Sequence, residues 1–470
     1  KPAQEWVADV EAELLANPDV TVLKHTTAFG YYDHNFLGLI QNRSDNVAYG
    51  QEGRSRQRVW RVRAKRVILA TGALERPLIY ADNDRPGCML ASALRTYVNR
   101  YGVSPGKRHV IFTNNDDAYR SALDLKAAGC VVACVIDVRK EPSGELVTRA
   151  IEAGIEVIDN SAITAVLGSK RIRGIEVMTL NEDADGVIGT SRTISCDTVG
   201  SSGGWNPVVH LHSHSAGRNV WRDEDNVFVP GDTLQAELAC GAANGSFSLQ
   251  QALNEGDFAG IESTSRLGMT AGERQAVTET TSDVEETPWR RLWYVPTTKP
   301  AGQRGKHFLD QQNDVTVADV QLAAREGYRS VEHAKRYTTL GMATDQGKTG
   351  NIPGHAILSS ALGQTIPETG TTTFRPPYSP VTMGAIAGRA IGEFFDPVRR
   401  TPMHDWHEQA GCLWEDVSQW RRPWYYPQEG ESMQDAVSRE CLAVRNHVGM
   451  LDATTLGKID IQGPDAAEFL

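Results

Sequence analysis

The chain has few cysteines, no long apolar run and no excess of positive charge, and each shortage argues against a class of function. Its seven cysteines are scattered and form no C-x-x-C pair, which argues against a redox-active disulfide and a thiolate zinc site. No stretch approaches the roughly 20 apolar residues that a membrane span needs. The formal net charge of −11 disfavours a nucleic-acid partner. We expect a protein of the reducing cytoplasm.

The composition fits an α/β protein of several domains, with 470 residues, 40% of them hydrophobic, and 43 glycines. Lys1 stands shortly before a predicted helix, and Leu470 ends a segment that resembles the beginning of a domain. We therefore expect a piece of a longer protein.

The stretch Arg66–Pro77 (RVILATGALERP) organises the rest of the chain. Its apolar run predicts a buried strand, and Thr71-Gly72 predicts a sharp turn after it. A second apolar strand, in NVFVPGD, ends in Gly231-Asp232. Such paired strand ends, separated by a βαβ unit, are typical of two-dinucleotide flavoproteins, in which Asp232 would accept hydrogen bonds from a ribose hydroxyl. Ordinary turn chemistry is the alternative.

Two further stretches complete this predicted site. Cys240–Leu253 begins with small residues and becomes helical, which suits the close approach of a pyrophosphate to a helix N-terminus. A strand is predicted at Val20–Leu23, and Ala28 beyond it is a candidate for backbone contact with an adenine. An ordinary strand end explains Ala28 equally well.

A compact βαβ unit begins at Val110–Phe112, where a nucleotide-binding unit would have a glycine-rich turn. The turn here is Thr113–Asp117, with no glycine and two carboxylates. Because a pyrophosphate would meet negative charge there, we predict that this unit binds no dinucleotide of its own.

His210, His212 and His214 alternate, so on a strand they would share one face and could hold a metal ion. No carboxylate or thiolate accompanies them at ligand spacing, and we predict no metal.

The second half of the chain gives helix signals. Thr316–Asp319 predicts a capping box, and the spacing of Gly384, Gly388 and Gly392 predicts a closely packed helix. A turn is predicted at Gly449–Asp452 and a strand at Gly457–Ile461.

The assembled motifs resemble a known family, the alpha subunit of heterotetrameric sarcosine oxidase. The strings that carry the resemblance are ATGALERP, SGGWNPVVHLHSH, VEHAKRYTTLGMATDQGKTGN, FRPPYSPVTMGAIAG and LDATTLGKIDIQGPDAAEFL. It implies an α/β chain with three parts: a two-dinucleotide-binding, Rossmann-like domain, a small helical domain and the start of an α+β aminomethyltransferase-like domain. The expected bounds are 1–262 with an insertion at about 103–200, a linker 263–305, the helical domain 306–355, a connector 356–405, and 406–470.

The resemblance implies oxidative demethylation of sarcosine to glycine, with hydrogen peroxide formed and the one-carbon unit passed to tetrahydrofolate. It places NAD on this chain, FAD and covalent FMN on the beta subunit, and gamma and delta subunits beside them. Folate-binding residues would lie beyond Leu470, and no catalytic residue is indicated. The residues implied to line the NAD are Ala28, Thr71, Gly72, Gly231, Asp232, Ala242, Phe247 and Leu249.

The unit Phe308–Gly350 also resembles a small [2Fe-2S] domain, whose cysteines would be expected near Asp310, Gln312, Asp345 and Gly350. Because no cysteine occurs between residues 240 and 412, we predict no cluster. The alternatives that remain open are the alpha subunit of a related amino-acid or opine dehydrogenase complex, and a non-catalytic scaffold that holds NAD.

Overall fold

The structure, a computed structural model, describes residues 2–44, 55–270, 277–280, 287–303 and 305–470. It divides into two units, Lys1–Val381 and Thr382–Leu470. Residues 271–276, 281–286 and 304 of the predicted linker lie outside the described residues. The first unit mixes helices with parallel and antiparallel sheets, as predicted for an α/β chain.

The described residues up to Tyr101 include an antiparallel sheet followed by short strands. Strands β1, β2 and β3 pair in that order. The strand predicted at Val20–Leu23 is wrong: His25 at φ +54° turns the chain, and pairing starts at Thr26. The elements are α1 (Ala3–Ala16), β1 (Thr26–Tyr32), β2 (Phe36–Asn42), β3 (Gln57–Arg63), β4 (Val67–Leu69), β5 (Ala73–Glu75), β6 (Cys88–Leu90) and α2 (Ala91–Tyr101).

The predicted βαβ unit is confirmed and lies within a five-stranded parallel sheet, ordered β6-β13-β7-β8-β9. Beside it, β10, β11 and β12 form an antiparallel sheet. The elements are β7 (Arg108–Thr113), α3 (Asp117–Ala127), β8 (Val131–Asp137), α4 (Glu145–Glu152), β9 (Val157–Ile158), β10 (Ser161–Leu167), β11 (Gly174–Leu180), β12 (Val187–Ser195) and β13 (Thr198–Ser202).

Two later strands then pair with strands from the N-terminal part of the chain. β14 pairs with β5, and β17 pairs with β4 in parallel. The elements are β14 (Trp205–Pro207), α5 (His210–His214), β15 (Asn219–Arg222), β16 (Val227–Pro230), β17 (Glu237–Ala239), a 3₁₀ turn (Gly241–Asn244) and α6 (Leu249–Arg266).

A small helical part follows, and its apolar cluster also includes the buried Ile79 from the segment after β5. The predicted capping box is confirmed, because the Thr316 hydroxyl accepts from the Asp319 N–H and the Asp319 carboxylate accepts from the Thr316 N–H. The last long helix continues across the boundary expected between residues 355 and 356. The elements are β18 (Phe308–Asp310), β19 (Val315–Thr316), α7 (Val317–Arg325), α8 (Val331–Thr338), α9 (Asn351–Leu362) and α10 (Ile366–Thr369).

The second unit contains a three-stranded sheet and one long helix. The helix predicted through Gly384, Gly388 and Gly392 is wrong, since α11 ends at Ala387 and Gly388 takes φ +59°. The strand predicted at Gly457–Ile461 is also wrong, because those residues pair with no neighbouring strand in the described part of the chain. The elements are α11 (Met383–Ala387), a 3₁₀ turn (Gly392–Phe394), β20 (Arg399–Arg400), α12 (His404–Gln409), β21 (Leu413–Val417), β22 (Trp420–Tyr425), α13 (Met433–Asn446) and α14 (Ala466–Phe469).

Among the described helices, none combines the length and the apolar character that crossing a membrane requires.

Candidate functional site

Two turns meet at one edge of the β4–β17 pair. Because the strands are parallel, their carboxyl ends lie at the same edge. Thr71-Gly72 follows β4, and Gly241 follows β17. The Cys240 N–H donates to the Leu69 carbonyl at 3.0 Å, so the pairing continues up to the turns. Helix α6 packs against both strands. The structure therefore brings two of the predicted cofactor-binding turns together.

The first turn is both open and firmly held. Gly72 has φ +76°, and no heavy atom lies within 4 Å of the position that a Cβ would take. The Thr71 hydroxyl donates to the Val208 carbonyl, and the Val208 N–H donates to the Gly72 carbonyl, both at 2.9 Å. Thr71 itself is exposed. An exposed backbone turn fixed from behind suits close approach by a dinucleotide.

The second turn differs, because its donors already face a carboxylate. The Gly241 N–H donates to Glu255 Oε2 at 2.8 Å, and the Ser246 hydroxyl bonds the other oxygen of Glu255. A phosphate would have to displace this carboxylate to reach the Gly241 N–H. Ala242 lies half-buried in this turn and can offer van der Waals contact.

Phe247 and Leu249 flank the start of α6. The Phe247 ring lies 6.1 Å from that of Trp289, and Leu249 is 45% exposed. Ser248 caps the helix by accepting from the Gln251 N–H at 3.2 Å. Ala28, on β1, packs against the apolar cluster that contains the inward face of β4. These three predicted residues thus lie around the two strands.

Gly231 and Asp232 follow β16 and are held by Arg218. The Gly231 N–H donates to the Arg218 carbonyl at 2.8 Å, and the Arg218 N–H donates to the Asp232 carbonyl at 2.9 Å. The Asp232 carboxylate is exposed. Within the described contacts, neither residue bonds Thr71 or Gly72, so this predicted pair does not join the first turn directly.

The histidine run is a short helix, α5, so the three rings do not share one face as they would on a strand. Its residues His210 to Ser213 are all buried; the segment packs on β1, and the ring of His210 lies 3.9 Å from that of Phe374. His212 Nδ1 hydrogen-bonds the Glu237 carboxylate, and Nε2 lies 3.2 Å from the Arg218 carbonyl oxygen. Sequence spacing missed Glu237 because it lies 25 positions further along. The one sequence signal that could have indicated Glu237 is its position as an acidic residue at the start of an apolar strand.

Helix α5 therefore links the two parts of the predicted site. Val208, just before it, holds Thr71-Gly72, while His212 reaches both Arg218 and β17. The neighbouring rings are neutral: burial lowers the pKa of His210 to about 3, aided by Lys348, and that of His214 to about 4. In the described part of the chain, no cluster of three or more histidine, cysteine or carboxylate side chains could hold a metal ion.

Arg76 is a buried residue whose role the sequence did not indicate. It is 3% exposed, donates to the Gly203 carbonyl at 2.7 Å and the Asn226 carbonyl at 2.8 Å, and lies within 6 Å of the rings of Trp289 and Trp293. Burial lowers its pKa to about 9. Arg76 thus ties the Arg66–Pro77 stretch to three distant segments.

The corresponding turn of the inserted unit is filled by the chain's own side chains. Asp116 Oδ1 pairs with Arg139 at 2.7 Å, and its Oδ2 accepts from the Thr287 N–H at 2.6 Å and hydroxyl at 2.8 Å. Arg139 also pairs with the fully buried Asp137 at 2.7 Å. The start of α3, where a pyrophosphate would bind, therefore faces an internal ion network.

The positions matched to [2Fe-2S] cysteines lie near one another and are joined by polar contacts. Gln312 Oε1 accepts from the Asp345 N–H at 3.3 Å, and a Cβ on Gly350 would lie 2.3 Å from the carbonyl oxygen of Leu309, which precedes Asp310. The absence of a cluster stays a prediction.

Comparison with known proteins finds family matches in two parts of the chain. The sarcosine oxidase A3 domain matches residues 304–389, and the GCVT N-terminal domain matches residues 403–470. The chain is 44% identical over its whole length to the alpha subunit of sarcosine oxidase from Corynebacterium sp. (strain P-1), of which it covers 48%. An opine oxidase subunit of Rhizobium meliloti (strain 1021) is 23% identical, over 70% of this chain and 77% of that protein.

A solved structure shows the same fold. L-proline dehydrogenase from P. horikoshii matches with a TM-score of 0.57 and 17% identity, covering 82% of this chain and 69% of that one. The chain spans about half the length of the sarcosine oxidase alpha subunits that it matches. Along its whole length, the chain is similar in sequence to the alpha subunits of sarcosine oxidase.

Proposed function

We propose that this chain is the NAD-binding part of a sarcosine oxidase alpha subunit. The complex would demethylate sarcosine to glycine, reduce O₂ to hydrogen peroxide with the two electrons released, and pass the one-carbon unit to tetrahydrofolate. The beta, gamma and delta subunits would be its partners, and the beta subunit would bind FAD and FMN. The complex would act in the cytoplasm. The observation that carries the NAD site is the open Thr71-Gly72 turn at the carboxyl edge of two parallel strands.

The chain's own residues would bind and orient the dinucleotide. The Thr71-Gly72 backbone would approach the phosphates closely, Leu249 and Ala242 would offer apolar contact, and Asp232 would accept from a ribose hydroxyl. NAD, when bound, can accept a hydride. We propose that it stays in place here, because the neighbouring thiol of Cys240 is buried and burial raises its pKa, making it a poor redox partner.

Gly72→Ala tests the site against a matched control, Gly129→Ala. Both glycines have positive φ (+76° and +80°) and open space where the Cβ would go, so each alanine should cost about 1–2 kcal/mol of backbone strain. Gly129 follows α3, away from the two turns. Nucleotide extracted from the purified chain should fall at least tenfold in Gly72→Ala alone. Equal NAD content in the two variants would reject the site.

The activity requires the complete alpha subunit with its partners. Peroxide formed from sarcosine, with tetrahydrofolate present and absent, measures it directly. No sarcosine-dependent peroxide would reject the proposed reaction, and oxidation of opines instead would favour the opine complex.

A non-catalytic scaffold is the remaining alternative. Full peroxide formation by a complex whose alpha chain carries Gly72→Ala and lacks NAD would assign the nucleotide to that structural role.

A further inference from the structure

A cleft of about 540 Å³ lies on the small helical part of the first unit. One wall is α8, which contributes Lys335 and Arg336, and the other is the turn that contains Arg375. Its volume is in the range of small-molecule sites. The cleft shares no lining residue with the Thr71-Gly72 or Gly241-Ala242 turns. It is therefore a separate candidate site.

The cleft concentrates positive charge in an acidic chain. Lys335, Arg336 and Arg375 line it together with one carboxylate, Glu332. That carboxylate is already engaged, since Oε2 lies 3.9 Å from Arg336 and Oε1 accepts from the Thr373 N–H at 2.8 Å. Within the described ranges, neither Lys335 nor Arg375 has a carboxylate at ion-pair distance. Two cations are thus left without a counter-charge, although the chain carries −11 overall.

The walls are held in place before any ligand arrives. The Gln346 amide donates to the Arg375 carbonyl at 2.7 Å and to the Pro377 carbonyl at 2.5 Å, and its oxygen accepts from the Arg375 N–H at 3.2 Å. These bonds fix the backbone that carries Arg375. Met342 and Pro380 add apolar surface to the same cleft. A fixed cleft with cations and an apolar wall lowers the ordering cost of binding.

We propose that this cleft binds a small organic phosphate. A phosphate monoester carries close to two negative charges at pH 7, which matches the two uncompensated cations. The planar guanidinium of Arg375 can pair with two phosphate oxygens, and Lys335 supplies a point charge for a third. The organic part would lie against Met342 and the prolines.

Phenyl phosphate is the probe, measured by isothermal titration calorimetry on the 470-residue chain. Arg375→Gln and Lys335→Gln should each raise its dissociation constant at least tenfold, because each removes a charge-assisted contact. The matched control is Lys126→Gln, an exposed lysine at the end of α3, which should leave the affinity unchanged. Added NaCl should weaken binding to the unmodified chain.

Three outcomes would overturn the proposal. Equal affinity of the cleft variants and the control for phenyl phosphate would show that it binds elsewhere. No detectable binding to the unmodified chain would show that the cleft is not a phosphate site. Benzoate binding as tightly as phenyl phosphate would show that the cleft does not select phosphate. Circular dichroism of each variant verifies that affinity is compared between folded chains. The NAD content of Arg375→Gln should equal that of the unmodified chain, so that this test and the test of the NAD site fail independently.

Discussion

The stability of the first unit should fall as pH rises, because of one buried carboxyl group. Glu75, the last residue of β5, is 3% exposed, and its Oε2 accepts from the Ser92 N–H at 2.8 Å in the first turn of α2. Burial raises the Glu75 pKa from an ordinary 4.5 to about 7, although the Ser92 hydrogen bond opposes the rise. The folded chain therefore keeps this proton at pH values where the unfolded chain has released it.

The sign and size of the effect follow from linkage. Between pH 4.5 and 7 the folded state binds more protons than the unfolded state, so the free energy of unfolding decreases as pH rises. With 1.36 kcal/mol per pKa unit, the loss reaches about 3 kcal/mol once the pH exceeds the folded pKa. Glu75→Gln keeps an acceptor for Ser92 and removes the titration. It should match the unmodified chain near pH 4.5 and exceed its stability by up to about 3 kcal/mol at pH 8.

Urea unfolding at pH 5, 6, 7 and 8, followed by circular dichroism, measures the difference between the two chains. Other groups titrate in both, so their contributions cancel in the difference. Glu152→Gln, on the exposed end of α4, is the control and should follow the unmodified chain at every pH. If Glu75→Gln also ran parallel to the unmodified chain, the buried carboxyl would be ionised throughout and the reasoning would be refuted.

Three further changes test the internal framework. Arg139→Met leaves two buried aspartates without their cation and should lower the free energy of unfolding by about 3–5 kcal/mol, whereas Arg192→Met, in an exposed pair, should cost at most about 1 kcal/mol. Gly350→Ala places a Cβ 2.3 Å from a carbonyl oxygen and should lower the unfolding temperature, at a cost of about 1–3 kcal/mol. His212→Leu should cost about 3–5 kcal/mol, and adding Glu237→Leu should recover part of it; strictly additive losses in urea unfolding would show that the two residues are not coupled.

Local features of the fold could be predicted because their causes lie within a few residues. The strand at Val67–Leu69 follows from three apolar residues before a glycine turn. The capping box at Thr316 needs only its own residue and Asp319, three positions later. The βαβ unit follows from alternation of apolar runs of strand and helix length. In each case the sequence neighbours are also the structural neighbours.

The features that the sequence did not reveal depend on residues far apart in the chain or on backbone conformation. The alternating histidines of His210–His214 would share one face only on a strand, whereas the segment is a helix whose residues His210 to Ser213 are all buried. The partner of His212 comes from a strand 25 positions away, which spacing rules cannot reveal. The glycines of the second unit fit a helix by spacing, but Gly388 adopts φ +59° and ends it. Packing against distant residues and the conformational freedom of glycine determine the structure of these segments.

Among the described residues of the first unit, two strand-to-turn junctions have the form that the sequence analysis associated with nucleotide binding, and side-chain charge distinguishes them. At Gly72, the missing side chain leaves open space beside an exposed backbone. At the corresponding position in the inserted unit, the Asp116 carboxylate pairs with Arg139 and accepts a hydrogen bond from Thr287. A phosphate arriving there would have to replace short, buried, charge-assisted bonds and would meet Asp137 nearby, in a region of low dielectric. We therefore expect any dinucleotide on this unit to depend on Gly72 and to be unaffected by changes in the inserted unit that leave it folded.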